Sequence, residues 1–170
     1  MIRIRVPGDD KDILRLVKKE LLPFVHQTFP DMSTNLAELK ARLRRGKVYI
    51  AGVPATEGKS RVGGFLATVK DEEAVWIDML AVGKEFQGKG LGSALMQRAE
   101  SEARSSGCQE ANVFVDAVNP KARTFYAKRG YVPVRYVAEV GCYHLRKKLK
   151  QSGNRPPGHS YNPFPRKAIV

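Results

Sequence analysis

Ile2 and Ile4 alternate with Arg3 and Arg5 until Pro7, Gly8 and Asp9 break the run, which reads as a short strand and a turn. Behind the turn the period lengthens. Ile13, Leu14, Leu16, Val17, Leu21 and Leu22 fall on one side of a helix that Asp12 caps and Pro23 ends, leaving 24–30 as a connecting loop. A second helix starts from a Ser33 or Thr34 cap, repeats Leu36, Leu39 and Leu43 at helical spacing, and stops at Gly46. From Lys47 the pattern turns extended. Residues 48–53 (VYIAGV) and 62–69 (VGGFLATV) form a hairpin around the polar stretch 54–61, and 74–82 (AVWIDMLAV) is apolar at nearly every position, as in a central strand buried on both faces.

After a linker, Leu91, Leu95, Ala99 and Ala103 mark a helix over 90–107, stopped by Gly107, and 111–118 (ANVFVDAV) returns to a strand. Asn119 is a favoured cap, Pro120 suits a first helical position and Gly130 a left-handed stop, so a further helix lies between them. Two more strands follow, YVPVRYVAEV and CYHLRKKL, separated at Gly141. The order strand, two helices, three strands, helix, strand, helix, two strands belongs to an α/β domain with a mixed sheet and helices on its faces. Residues 1–150 form that single domain, and 151–170, with four prolines and little periodicity, form a Pro-rich basic tail.

Charge and composition narrow the function classes. The 170 residues carry a net charge of +13, and the stretch 143–170 holds seven Lys and Arg with no acidic residue. Such a segment attracts nucleic acid, an anionic membrane or a polyanionic small molecule, or acts only as a solubilising tail. No run approaches the roughly 20 apolar residues of a membrane-spanning helix. The N-terminus lacks the apolar run of a signal peptide, and two cysteines 34 positions apart make neither a disulfide framework nor a zinc site, so a reducing cytoplasm is expected.

The chemistry concentrates at the junction LAVGKEFQGKGLGSALMQRA, where a strand end runs into a helix through Gly88, Gly90 and Gly92. Glycines at a helix start let free backbone N–H groups approach an anion, and the helix dipole reinforces them. Three phosphate-binding turns compete for this segment. A Walker loop needs Ser or Thr where Gly90 stands, and the alternative lysine-containing match at 58–60 lies in a hairpin loop with its leading glycine one residue too early. A dinucleotide fingerprint from Gly88 needs glycine where Ser93 stands, and the preceding strands are hairpin-connected.

The third class fits residues and context together. QGKGLG at 87–92 resembles the acyl-CoA pyrophosphate loop of the GNAT N-acyltransferase superfamily, Q/R-x-x-G-x-G/A, and NPKARTFYAKRGYVPV at 119–134 resembles that superfamily's second cofactor-binding segment. The likeness runs from about Val62 to Leu149. It implies a mixed, mostly antiparallel central sheet of about seven strands with helices on both faces, and acetyl-CoA as donor to a primary amine that attacks the thioester directly. By that resemblance, backbone groups from Leu80 through Ala81 to Val82 hold the pantetheine arm and thioester. Gln87, Gly88, Lys89, Gly90, Leu91, Gly92 and Ser93 meet the pyrophosphate, and Asn119 both caps its helix and bonds the cofactor.

Acyl transfer to an amine needs a polarised carbonyl, a deprotonated nitrogen and a protonated leaving thiolate. Tyr126, in the tyrosine place of the FY-x-x-x-GY segment, is the implied general acid and a cofactor contact. Asp78 is the candidate base, since it lies in a buried strand and even spacing puts it on one face with Trp76, Leu80 and Val82. The opposing reading makes Asp78 a structural partner of a backbone group or an arginine. Glu72, Glu73, Glu139 and His144 are the alternative bases. The acceptor pocket, by resemblance, draws on Phe24, His26, Phe29, Met32, Arg135, Tyr136 and Tyr143. No metal is required. The competing functions are a non-catalytic acyl-CoA-binding module and a nucleic-acid-binding protein acting through its basic surface, and a homodimer is a further expectation.

Overall fold

The computed structural model describes residues 1–149 except 56, 57 and 59. The basic tail and Lys59 therefore lie outside the described residues. The chain begins with β1 (Ile2–Ile4), a 3₁₀ turn at Pro7–Asp9 and α1 (Asp10–Leu16). Arg3 grips Asp9 through two bonds of 2.7 Å, and Arg5 grips Asp10 at 2.6 and 2.8 Å, so two forked ion pairs fasten the strand to the helix start. Asp12, the expected cap, instead lies inside the first turn and pairs with Arg15.

Pro23 does not end this helical region. A π-helical turn at Val17–Leu21 adds a residue to the winding, and α2 (Leu22–Thr28) follows with Pro23 in its first turn, where a missing N–H costs no helical bond. Phe24 and His26 are thus helical rather than in a loop. The cap of α3 (Leu36–Leu43) is Asn35, not Ser33 or Thr34: its Oδ1 accepts the Glu38 N–H at 2.9 Å. Asn35→Ala should lower stability by about 1 kcal/mol, read as a shift in a urea midpoint at unchanged slope.

The remaining elements are β2 (Lys47–Pro54), β3 (Ser60–Asp71), β4 (Ala74–Val82), α4 (Leu91–Ser105), β5 (Glu110–Asp116), α5 (Pro120–Lys128), β6 (Val132–Val137) and β7 (Cys142–Lys148). They build one seven-stranded sheet in the order β1-β2-β3-β4-β5-β7-β6. Every pairing is antiparallel except β4 with β5, where α4 supplies the crossover that a parallel pair needs. The mixed, mostly antiparallel sheet with helices on both faces is as expected.

Two apolar clusters sandwich it. On one face Leu95, Met96 and Ala99 of α4 and Tyr126 of α5 pack on Leu66, Ile77, Val113 and Leu145. On the other, Ile13, Val17, Val25, Leu39 and Leu43 pack on Ile50, Phe65, Met79 and Ala81. Among the described residues no helix is long and apolar enough to cross a membrane.

Candidate active site

Two departures from regular sheet geometry make the site. The first is a β-bulge in β4. Ala67 pairs with Met79 and Thr68 with Ile77, so Asp78 is the extra residue and the strand's facing switches there. Leu80 and Val82 consequently pack toward α4, while Met79 and Ala81 pack toward α1–α3. Strict alternation, which placed Asp78 with Leu80 and Val82, fails for this reason. Asp78 turns to α3, where Arg42 holds its carboxylate with Nε at 2.8 Å and Nη2 at 3.0 Å and also bonds its carbonyl at 3.3 Å. The arginine partner in the opposing reading of Asp78 is therefore present, and both carboxylate oxygens are engaged.

The second departure is that β4 and β5 part. They pair only from Ala74 opposite Glu110 to Ile77 opposite Val113, and beyond that point each strand goes its own way. The amide of Gly83 donates to Gly63 O on β3 at 2.8 Å. Alternation along the strand then directs the N–H groups of Val82 and Leu80 away from β3, into the gap.

The glycine turn stands at the mouth of this gap. Gly88 (φ 74°) and Gly90 (φ 81°) adopt left-handed backbone that other residues take only under strain. Gly90 caps α4 without a side chain, and the first intrahelical bond runs from Ala94 N to Gly90 O, so the N–H groups of Leu91, Gly92 and Ser93 have no helical partner. A Cβ at Gly92 would sit 3.4 Å from the Phe125 ring. Lys89 is exposed with its ammonium 5.7 Å from the Phe86 ring centroid.

Gln87 fixes the turn relative to its neighbours. Its amide donates to Val82 O at 2.9 Å and Glu20 at 3.3 Å, and its oxygen accepts from Lys121 Nζ at 2.6 Å. Glu20 also accepts the Lys84 N–H. One side chain thus ties the end of β4, the π-helical turn and α5 together, a role that the motif alone did not indicate.

A cavity of about 660 Å³ runs along these groups, lined by Leu80, Ala81 and Val82, by Gln87, Gly88, Gly90, Leu91, Gly92 and Ser93, and by Asn119 and Tyr126. All the expected cofactor contacts except Lys89 therefore share one hollow. Asn119 Oδ1 accepts the Ala122 N–H at 3.0 Å and caps α5. Tyr126 is 5% exposed, packed edge-on against Phe125 and Tyr131, and among the described residues its hydroxyl has no hydrogen-bond partner. Burial raises its ionisation well above the usual phenol range, against a smaller opposing pull from Arg129, so the hydroxyl keeps its proton at any working pH. The end of α5 is held by buried Glu100, which receives the Tyr131 hydroxyl at 3.1 Å and Lys147 Nζ at 2.7 Å.

The alternative bases lie elsewhere. Glu72 and Glu73 occupy the turn before β4, at the opposite end of that strand from the glycine turn, and Glu139 is exposed beyond β6. His144 is buried, bonded to Asn112 Oδ1 at 2.7 Å and stacked with Trp76 and Phe114. Of the expected acceptor residues, Phe24 lines the cavity, Tyr136 and Tyr143 are paired rings 5.1 Å apart, and His26 Nε2 meets Met32 O at 2.6 Å. One titratable group was missed: Asp116, the last residue of β5, which lines a smaller hollow together with Asp78, Leu80, Asn119 and Tyr126. Burial raises its pKa from 3.8 to about 6 despite a thiol hydrogen bond from Cys142 that opposes the shift.

A model of the acetyltransferase (GNAT) family matches residues 14–131, more than half of the chain. The chain belongs to this family. Among curated relatives, mycothiol acetyltransferase from Beutenbergia cavernae is 36% identical over 83 residues, 46% of this chain and 28% of that protein. Acetyltransferase Atu2258 from Agrobacterium fabrum is 32% identical over 60 residues, 35% of this chain and 42% of that protein. These matches span less than half the length of either relative. Among solved structures, Ard1 from Thermoplasma volcanium superposes with a TM-score of 0.67 at 24% identity, over 89% of this chain and 98% of its own. PaiA N-acetyltransferase from Thermoplasma acidophilum, solved in complex with coenzyme A, gives 0.69 at 17% identity over 87% and 99%. At these identities the superpositions establish the GNAT fold.

Proposed function

We propose that this GNAT protein transfers the acetyl group of acetyl-CoA to a primary amine by direct attack on the thioester. The observation that carries the reading is the cavity that the start of α4, the parted end of β4 and Tyr126 line together. Its roughly 660 Å³ is in the range of a small-molecule site. The N–H groups of Leu91, Gly92 and Ser93 bind the pyrophosphate, aided by the helix dipole. Those of Leu80 and Val82 hold the pantetheine arm and polarise the thioester carbonyl. Tyr126 gives its proton to the leaving thiolate. Two buried free thiols, Cys108 and Cys142, fit a reducing cytoplasm.

Calorimetric titration with acetyl-CoA, with ATP and magnesium as control, tests the cofactor. Thiol release with butylamine, with spermidine, and with a peptide bearing a free α-amine and a lysine tests the transfer. Saturable acetyl-CoA binding and turnover of at least one amine are expected. Tyr126→Phe should slow that turnover about 10²- to 10⁴-fold with nearly unchanged acetyl-CoA affinity. Absent acetyl-CoA binding at low salt overturns the reading, and binding without turnover leaves an acyl-CoA-binding module.

A further inference from the structure

We propose that Asp116 is the general base that takes the proton from the attacking amine, with Tyr126 facing it across the gap between β4 and β5 as the acid. The inference rests on the acetyl-transfer reading above and assigns a residue that the motifs do not mark.

The geometry follows from strand facing. Along β5, Ala111, Val113 and Val115 belong to the cluster under α4, which turns Asn112, Phe114 and Asp116 to the opposite face. Asp116 sits directly across from Cys142 on β7, and on that face lie also His144 and the Asp78–Arg42 pair. Tyr126 belongs to the α4 side. In a continuous sheet the two groups would be walled off from each other. Here the strands separate after Ile77 and Val113, and one small hollow touches both residues through the opening. A thioester carbonyl held by the Leu80 and Val82 amides would thus have its sulfur on the tyrosine side and its other face open to an amine arriving beside Asp116.

The surroundings of Asp116 are unusual for a structural carboxylate. It is 7% exposed, yet its one hydrogen-bond donor among the described residues is the Cys142 thiol at 3.7 Å, a weak donor that also reaches Val140 O at 3.4 Å. Buried carboxylates are ordinarily paired with a cation or with several N–H groups, as Asp78 is with Arg42. The facing groups are few. Cys142 stays a thiol because burial raises it, His144 is taken up by Asn112 and the Trp76–Phe114 stack, and Asp78 is neutralised by Arg42. Tyr126 is held protonated. Nothing here supplies Asp116 with a permanent counter-charge, so it ionises near pH 6 and is a competent proton acceptor just above that pH.

The step balances without a further reactant. Asp116 first accepts one proton of the ammonium, directly or through one water, and the nitrogen lone pair so freed bonds to the carbonyl carbon. Collapse breaks the carbon–sulfur bond, the electron pair leaves with sulfur, and sulfur takes the Tyr126 proton. The second nitrogen proton passes to the tyrosinate, and the proton on Asp116 is released to solvent. Amide and thiol are then formed, and both side chains are back in their starting states.

The test compares Asp116→Asn, Asp78→Asn and the unaltered chain, with acetyl-CoA and two nucleophiles: the best amine of the three above, and hydroxylamine, which is already unprotonated at neutral pH. Asp116→Asn is expected to bind acetyl-CoA as before, to lose at least about 100-fold in kcat/KM with the amine, and to lose far less with hydroxylamine. The acid limb of the amine profile near pH 6 should disappear. Removing a poorly solvated charge should also raise the melting temperature above pH 7, so lost activity is not lost folding. Equal losses with both nucleophiles, an unchanged acid limb, or an acid limb abolished by Asp78→Asn alone would each overturn the assignment. Failure of the acetyl-transfer reading shows separately, as absent acetyl-CoA binding or amine turnover in the unaltered chain, and overturns both.

Discussion

A chain carrying Gly90→Val and Gly92→Val together is expected to show no saturable binding in an acetyl-CoA titration, while its melting temperature falls only a few degrees. The two effects separate because the glycines act in different currencies. A Cβ at Gly90 meets nothing within 4 Å, so folding suffers only the left-handed backbone at φ 81°, about 1–2 kcal/mol. At Gly92 the new Cβ touches the Phe125 ring at 3.4 Å, tight but against an edge that can shift. Binding suffers more. The valine side chains occupy the space over the free N–H groups of α4, and two lost charge-assisted hydrogen bonds at about 1.5–3 kcal/mol each weaken affinity roughly 10²- to 10⁴-fold. Wild-type affinity in the double variant would mean that the anion does not sit on this turn.

Arg42→Ala is expected to be the most destabilising single change, at about 3–5 kcal/mol in chemical denaturation. The Arg42 side chain is 9% exposed and that of Asp78 1%, so removing the guanidinium takes from a carboxylate that water does not reach the cation that holds both its oxygens. Exchanging both partners, Arg42→Met with Asp78→Leu, should restore much of the loss, since two apolar groups leave no buried charge behind. If the single and double variants were equally unstable, the ion pair would not be what joins α3 to the bulge. Because this pair anchors the residue at which β4 reverses its facing, its loss should also reduce acetyl-CoA affinity through the displaced Leu80 and Val82 amides.

What the sequence revealed and what it hid have physical reasons. The strands over 74–82 and 111–118 and the caps at Asn119 and Gly130 were legible because local composition and period decide them. Pro23 misled, since its effect depends on the π-helical turn ahead of it, and no residue between Val17 and Leu21 announces that turn. The bulge at Asp78 was invisible because a strand apolar on both sides shows no change of pattern when its facing switches. Asp116 was hidden for a longer-range reason. In FVDAVN it reads as the polar end of a strand, and its poverty of partners arises only when β7 inserts between β5 and β6 and sets Cys142 opposite it. The glycine turn stood out for the opposite reason: conformational demands at Gly88 and Gly90 are met by the residues themselves.

The short pairing of β4 with β5 also has a mechanical meaning. Among the described residues, four rungs, Ala74–Glu110 through Ile77–Val113, are the only ladder joining the half-sheet β1–β4 to the half-sheet β5–β7. They lie at one end of the seam, like the rivet of a pair of shears. From Ile77 to Val82 the open edge extends about 17 Å, so turning one half against the other by about 5° changes the spacing at the glycine turn by about 1.5 Å while the rungs scarcely move. Gln87, reaching from the β4 side to Lys121 on α5, spans the open end and limits that swing.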